Sequence, residues 1–458
     1  MIELKDEQVI VAQATAQGAG AIAMLRVSGN KALEIVDSIA QIPGNKKLVD
    51  QETHTIHYGW VVDKNGQHVD QVLFLLMRAP KTFTGENVVE ITCHNNQFLV
   101  EQIIDIIIQA GARLADQGEF TRRAVLHGKV DLVQAEAINE LIHAQTTQAL
   151  KQSLRQLEGS FSSWIATIEK QLIMIIGYCE ASFEFLDEEM SFELQIKERL
   201  ANVQSDVAQV LKTFDKRQYV TQGVRIALVG SVNAGKSSLF NALINRQRAI
   251  VTDIAGTTRD TIEAGMYSDG AFVTFVDTAG LRDSEDVVEK IGIDRSFQEV
   301  NSSDLILMVF DATASYKQEE IDLYQTITNQ HADKIIFVQN KIDAGSNKLP
   351  FLDQQNIVAV SVLQNKNVDQ LRMKIDEKIN ALMHVGQTPC LLNKRQYTLL
   401  LLLEQELELI KNRISIRVDY ELLAISVNDA ISKLSELTGK TVSEDALDAI
   451  FREFCVGK

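Results

Sequence analysis

The run Gly230-Ser-Val-Asn-Ala-Gly-Lys-Ser237 carries the most specific chemistry in the chain. Its spacing is that of a phosphate-binding loop, G-x-x-x-x-G-K-S. Gly230 and Gly235 let the backbone curl, so that successive N–H groups along Asn233, Ala234, Gly235, Lys236, Ser237 and Ser238 face phosphate oxygens. The Lys236 ammonium reaches the β- and γ-phosphates, and Ser237 offers a hydroxyl to Mg²⁺. An apolar strand pattern precedes the loop and a helix pattern follows it, so the positive end of a helix dipole also points at the phosphates.

Further motifs follow in order. Asp277-Thr278-Ala279-Gly280 ends a strand pattern; Asp277 can hold Mg²⁺ through water, and the Gly280 N–H can sense a γ-phosphate. Asn340-Lys341-Ile342-Asp343 ends a later one. The Asp343 carboxylate can accept from the N1–H and 2-amino groups of guanine, a donor pattern that adenine lacks, and Asn340 can meet the O6/N7 edge. Between them lies Gly256-Thr257-Thr258-Arg259-Asp260, where Thr258 can complete the Mg²⁺ shell. Taken together, the motifs select GTP. Ras-like enzymes orient the attacking water with a Gln where this chain has Leu281, so hydrolysis needs another polar residue. The carboxylates of Asp283, Glu285, Asp286 and Glu289 follow, and spacing does not choose among them. The side-chain carbonyl of Asn233 can ligate a monovalent cation lying along the phosphates, which would place positive charge where an arginine finger otherwise acts.

The elements that must position these groups form an α/β pattern over 217–380. Val224–Val229, Ala271–Val276, Leu305–Phe310, Lys334–Val338 and Asn356–Ser361 are apolar runs suited to a sheet covered on both faces. Residues 261–268 and 271 onward, joined at Asp269-Gly270, predict an edge hairpin. Residues 1–118 predict an α+β domain. It has a hairpin of His57–Val62 and Gln71–Met77 about Asp63-Lys-Asn-Gly66, a strand at Val88–Thr92 and a helix over 96–110. Residues 119–216 and 381–458 are helical. Leu150, Leu154, Leu157, Phe161, Trp164, Ile168, Leu172 and Ile175 predict one long apolar helix face. Gly439 can close a late helix, and Thr441-Val-Ser-Glu444 reads as a capping box opening a last helix over 446–454. Neither helical stretch has an obvious partner within itself, so the two predict one discontinuous all-α domain with the α/β domain inserted.

Composition bounds the rest. The chain has 458 residues, 45% hydrophobic and 23% charged, with a formal net charge of −17. A broad basic face for nucleic acid is excluded, and an RNA partner would need local patches. Arg122 and Arg123 read either as part of such a patch or as a solvated helix start. Four cysteines, far apart and without metal-ligand spacing, fit a reducing compartment. The N-terminus lacks a signal-peptide core and no long uncharged apolar segment occurs, so the expectation is a cytoplasmic protein with no membrane partner.

The whole chain resembles the bacterial MnmE (TrmE) family of tRNA modification GTPases. The resemblance rests on 231–237, 249–260 and 277–282, on Thr84-Gly-Glu-Asn-Val-Val-Glu90, on Gly118-Glu-Phe-Thr-Arg-Arg-Ala124 with 128–137, and above all on the ending Phe454-Cys-Val-Gly-Lys458. It implies a multidomain protein: an α+β folate-binding and dimerisation domain at 1–118, a helical domain split between 119–216 and 381–458, and an inserted Ras-like P-loop G domain at 217–380. It implies K⁺ at Asn233, Thr252, Ile254 and Thr257, Mg²⁺ at Ser237 and Thr258, and nucleotide contacts along Asp253, Ala255 and Gly256. It selects Glu289 to orient the attacking water when two G domains meet across the K⁺ sites. It places 5-formyl-tetrahydrofolate, or another tetrahydrofolate one-carbon donor, near Arg26, Glu90, Lys129 and Lys458. A cation pair there suits the folate's glutamate tail, and a carboxylate suits the pterin's donor edge. Cys455 would lie near the folate, either as a small buried hydrophobe or with a chemical role. The implied partners are a second copy of the chain, the flavoprotein MnmG in a hetero-oligomer, and tRNA, modified with a carboxymethylaminomethyl group at the wobble uridine.

The chain departs from the family pattern at Ala16-Gln-Gly-Ala-Gly-Ala21, at Asn95-Asn96 and at Ser361-Val-Leu363, where contacts to the base are expected through backbone. Two other readings remain. A ribosome-assembly GTPase would require an appended RNA-binding module after residue 380. A nucleotide-controlled scaffold with little catalysis fits Leu281 but not Asn233 with Glu289.

Overall fold

A computed structural model describes residues 8–44, 46–184, 192–231, 233–244, 262–268, 271–277, 300–347, 357–383, 388–416 and 419–457. The chain divides into two compact units. One comprises Met1–Ile142, Leu154–Ala208 and Lys394–Lys458; the other comprises His143–Ser153 and Gln209–Asn393.

The first unit opens with β1 (Ile10–Gln13), β2 (Ile22–Ser28), α1 (Ala32–Ser38), β3 (Ala40–Gln41), β4 (Thr55–Val62), β5 (His68–Met77), β6 (Val88–His94), α2 (Gln97–Gln109) and β7 (Arg113–Leu114). The strands form a seven-stranded sheet in the order β3-β4-β5-β6-β2-β1-β7. The expected hairpin is β4–β5, and the Asp63 carboxylate holds its turn by accepting from the N–H groups of Asn65 and Gln67. Alternation along the strands puts Leu25, Val27, Phe74, Leu76 and Ile91 on one face, where they pack with Ile103 and Ile107 of α2. Asn96 caps α2, its side chain accepting from the Phe98 and Leu99 N–H groups.

Next come α3 (Glu119–Leu126), α4 (Leu132–His143), α5 (Thr147–Leu157), α6 (Ser160–Glu184) and α7 (Glu193–Leu211). The single long apolar face is two helices. The chain turns at Glu158-Gly159, where Gln134 Nε2 donates to the Leu157 carbonyl at 2.8 Å. The break shifts the helical phase, so Leu150 and Leu154 are exposed while Phe161, Ile168, Leu172 and Ile175 are buried. Neither Arg122 nor Arg123 presents a free basic surface. Arg123 is 2% exposed, held by Glu119 at 2.8 Å and Glu86 at 3.1 Å, and Arg122 lies 2.7 Å from Asp448. The Glu86 and Glu119 carboxylates draw Arg123 into the structure; Glu119 is its i,i+4 neighbour on α3, whereas Glu86 is remote in sequence and no local pattern displays it.

The second unit holds α8 (Arg217–Gln222), β8 (Val224–Val229), α9 (Lys236–Ile244), β9 (Ile262–Ser268), β10 (Ala271–Asp277), β11 (Leu305–Asp311), α10 (Gln318–His331), β12 (Ile335–Asn340), β13 (Ile357–Ala359) and α11 (Val368–Met383). Its six-stranded sheet runs β13-β12-β11-β8-β10-β9. Every pairing is parallel except β9–β10, the expected edge hairpin. Strands buried on both faces read as unbroken apolar runs, and all seven residues of β11 are buried.

The chain ends in α12 (Lys394–Ile416), α13 (Tyr420–Thr438) and α14 (Glu444–Phe451), which belong to the first unit. α13 packs against α6 and α12. Gly439, left-handed at φ 86°, closes α13 as expected. The cap of α14 is Ser443, accepting from the Ala446 N–H, rather than Thr441, and the helix stops at Phe451. Glu136 of α4 locks the segments together. It accepts from Arg395 Nε at 2.6 Å and from Gln396 Nε2 at 2.7 Å. Among the described residues, no helix is long and apolar enough to cross a membrane.

Candidate nucleotide and folate sites

Parallel strands end on one side, so β8, β10 and β12 deliver the phosphate loop, Asp277 and Asn340 to one edge of the sheet. The register pairs Asp277 with Leu228 and Asp311 with Asn340. Ligands bind along such carboxyl ends. At the loop, Lys236 opens α9 and its Nζ donates to the Gly230 and Ser231 carbonyls at 2.7 and 2.8 Å. The lysine is only 6% exposed, so its charge is held in place and desolvated. Gly235 is irreplaceable on two counts: its φ is 90°, and a Cβ there would stand 2.2 Å from the Asn340 amide nitrogen. Asn233 also takes a left-handed φ of 61°.

The Asn-Lys-x-Asp motif grips this loop. Asn340 Nδ2 donates to the Ala234 carbonyl at 3.1 Å, while its Oδ1 accepts from the N–H groups of Lys341 at 2.8 Å and Val362 at 3.4 Å. Val362 therefore contributes here through its backbone. The Asn340 side chain, assigned above to the base edge, braces the loop in this structure. Lys341 Nζ lies 2.6 Å from both the Asn233 carbonyl and Asp311 Oδ2. Burial opposes ionisation of Asp311, but Lys341 and the Thr313 hydroxyl and N–H outweigh it and hold the carboxyl below its usual range. Asp343 is exposed in the turn beyond β12, available to a base. Asp311 carried no motif and was not foreseen. Thr252, Asp253, Ile254, Ala255, Gly256, Thr257, Thr258, Thr278, Ala279, Gly280, Glu289 and Lys458 lie outside the described residues.

In the first unit, Arg26 and Glu90 face each other across β2 and β6. Their side chains are 2.8 Å apart, so Arg26 is paired within the protein rather than turned out as a separate cation. Arg26 NH1 also donates to the Gly457 carbonyl at 3.3 Å, and its guanidinium lies 5.8 Å from the Phe83 ring and 5.7 Å from that of Phe120. The chain's last residues thus reach the sheet at Arg26. Gly457 has φ 90°, and a Cβ there would meet the Gln13 carbonyl at 2.2 Å. Lys129 Nζ donates to the Pro80 carbonyl. Cys455 is exposed and in no disulfide, which removes the buried-hydrophobe reading. A guanidinium–carboxylate pair flanked by two rings fits a flat, polar heterocycle. Two departures from the family pattern meet each other: Asn95 Nδ2 donates to the Gly18 carbonyl at 2.8 Å, and its N–H to that of Ala21 at 3.1 Å.

Comparison with known proteins bears on both sites. The model of the MnmE helical domain matches residues 132–455, and that of the GTP-binding protein TrmE N-terminus matches 9–129. A tRNA modification GTPase MnmE of Fervidobacterium nodosum is 37% identical over 99% of this chain and 98% of its own. One of Aquifex aeolicus is 37% identical over 98% of this chain and 99% of its own. A structure of an Aquifex aeolicus Era variant bound to GDP and AlF4⁻ is 27% identical, covering 40% of this chain and 66% of that one at a TM-score of 0.27. The match runs from the first strand to the terminal motif, and the chain belongs to the MnmE family of tRNA modification GTPases.

Proposed function

We propose that the chain is a K⁺-dependent GTPase that takes part in tRNA modification. With a flavin-dependent partner of the MnmG type, it adds a carboxymethylaminomethyl group to C5 of the wobble uridine, drawing on a tetrahydrofolate one-carbon donor. The observation that carries the reading is the phosphate loop clamped by Asn340 and Lys341 on a pre-formed sheet edge. In this reading Lys236 neutralises charge on the β- and γ-phosphates, and Ser237 and Thr258 hold Mg²⁺. Bound there, Mg²⁺ would supply Lewis-acid neutralisation of phosphate charge. Asn233, with Thr252, Ile254 and Thr257, holds K⁺ beside the same phosphates. Glu289 orients the attacking water in place of Leu281 once two copies pair through their nucleotide-binding units.

We assign residues 1–118 to folate binding and homodimerisation, 217–380 to the G domain, and 119–216 with 381–458 to the helical domain. Arg26, Glu90 and Lys129, with Cys455 and Lys458 of the tail, form the folate site. The protein acts in the cytoplasm. The decisive measurement is GTP turnover in K⁺ against Na⁺ at equal ionic strength, with Asn233→Ala alongside. Stimulation by K⁺ of tenfold or more, lost in the variant, is expected. Equal slow rates in both salts would remove cation-dependent pairing and leave a scaffold switched by another protein.

A further inference from the structure

β11 ends in Phe310-Asp311, and the chain then passes Tyr316 before entering α10. Tyr324 on α10 is 4% exposed. The rings of Phe310, Tyr316 and Tyr324 meet edge to face, with centroids 5.1 to 6.1 Å apart. Packing alone would be served as well by phenylalanines. The hydroxyls, however, have specific partners. Tyr316 Oη accepts from the Asp311 N–H at 2.7 Å. Both tyrosine hydroxyls bond to the Ser231 side chain, and Tyr324 bonds to its backbone as well. Burial pushes Tyr324 up to about 12, so it stays a protonated phenol at physiological pH. Ser231 is the second residue of the phosphate loop, and its carbonyl receives both the Lys236 ammonium at 2.8 Å and the Ala234 N–H at 3.2 Å.

We propose that Tyr316 and Tyr324 are positioning residues of the nucleotide site: their hydroxyls fix Ser231, and Ser231 fixes the carbonyl that aims Lys236 at the phosphates. Asp311 is the shared root of two arms. Its backbone holds Tyr316, which reaches Ser231, and its carboxylate holds Lys341, which reaches Asn233. The loop is thereby set from both of its flanks before nucleotide arrives, and conformational freedom already removed does not have to be removed on binding. The inference rests on the reading of this loop as a nucleotide site, but not on K⁺ dependence or on pairing.

The test is the dissociation constant of a fluorescent GDP derivative with Mg²⁺ and the full-length chain, beside a nucleotide-free melt. Tyr316→Phe, Tyr324→Phe, Ser231→Ala and Ser231→Thr are compared. Phenylalanine keeps the ring packing, so the core survives. Each lost hydroxyl is expected to weaken GDP about threefold to tenfold. Ser231→Thr, which keeps the hydroxyl, should bind within twofold of the wild type. Tyr316→Phe combined with Ser231→Ala should lose less than the sum of the two single variants, because Tyr316 reaches Ser231 only through the side chain that Ser231→Ala already removes. Affinity unchanged in the phenylalanine variants with only the melting temperature lowered would reduce the tyrosines to core packing and overturn the proposal. A wild-type chain that bound no GDP would overturn the nucleotide reading beneath it.

Discussion

Asp343 stands exposed beyond β12, while Asn340 is 2% exposed, its Nδ2 on the Ala234 carbonyl of the phosphate loop and its Oδ1 on the Lys341 and Val362 N–H groups. In the proposed reading the base falls mainly to Asp343. Asp343→Asn replaces an acceptor by an amide that can donate. GTP affinity is expected to fall tenfold or more, about 1.5–3 kcal/mol, while xanthine nucleotides, with a carbonyl at C2, gain. Competition binding measures both, and an unchanged ranking would remove the base-reading role. This residue was legible because phosphate and guanine impose their own geometry: residue types and spacing follow from what is bound. Asp311, Tyr316 and Tyr324 were not, since their meeting with Lys341 and Ser231 depends on how β8, β11 and β12 pair. Arg26 and Glu90 entered through family resemblance alone, and only register shows them to be direct neighbours.

Elements report their own electrostatics. α3 is anchored by Glu119, which accepts from Arg113 at 2.6 Å and Arg123 at 2.8 Å. Burial works against the charge, but Arg113, the Asp116 N–H and Arg123 prevail and lower the pKa from 4.5. A depressed carboxylate stabilises the fold above its unfolded pKa and loses that contribution as pH falls through the folded one. Glu119→Gln should cost roughly 3 kcal/mol at pH 7, because it takes one of two carboxylates from the buried Arg123 and a carboxylate partner from the partly exposed Arg113. Urea unfolding should show the gap to the wild type closing as pH drops below 4.5; a gap independent of pH would exclude the charge as its source. The tail makes a second case. Gly457→Ala should displace the chain's end from Arg26 and abolish tetrahydrofolate binding in calorimetry, with GDP affinity intact. Strands and the β4–β5 turn were legible from alternation and from Asp63-Lys-Asn-Gly66. The split of α5 from α6 was not, because the apolar period continues through Gly159 and only the turn shows the phase shift.

At the scale of the molecule, two compact units, one proposed to take nucleotide and the other folate, make melting informative. GDP with Mg²⁺ at a hundred times its dissociation constant should stabilise the nucleotide unit by about 2.7 kcal/mol. Calorimetry should resolve a transition that moves with GDP and another that moves with folate; a single transition answering to both would show that the units unfold as one. The sequence predicted an inserted unit from helical stretches lacking partners within themselves; that Met1–Ile142 clusters with those helices as one unit was not legible. Which helices meet across the insertion, α6 with α13, is a matter of packing that no local pattern states. That same insertion sets a timetable for the ribosome. All of the nucleotide unit except His143–Ser153 is synthesised between α6 and α13, an interval on the order of ten to fifty seconds at 5–20 residues per second. The buried stripe Phe161, Ile165, Ile168 and Leu172 must wait that long for the helix that covers it. The nucleotide unit can be finished and loaded with GTP while its host is still an open surface in need of a chaperone.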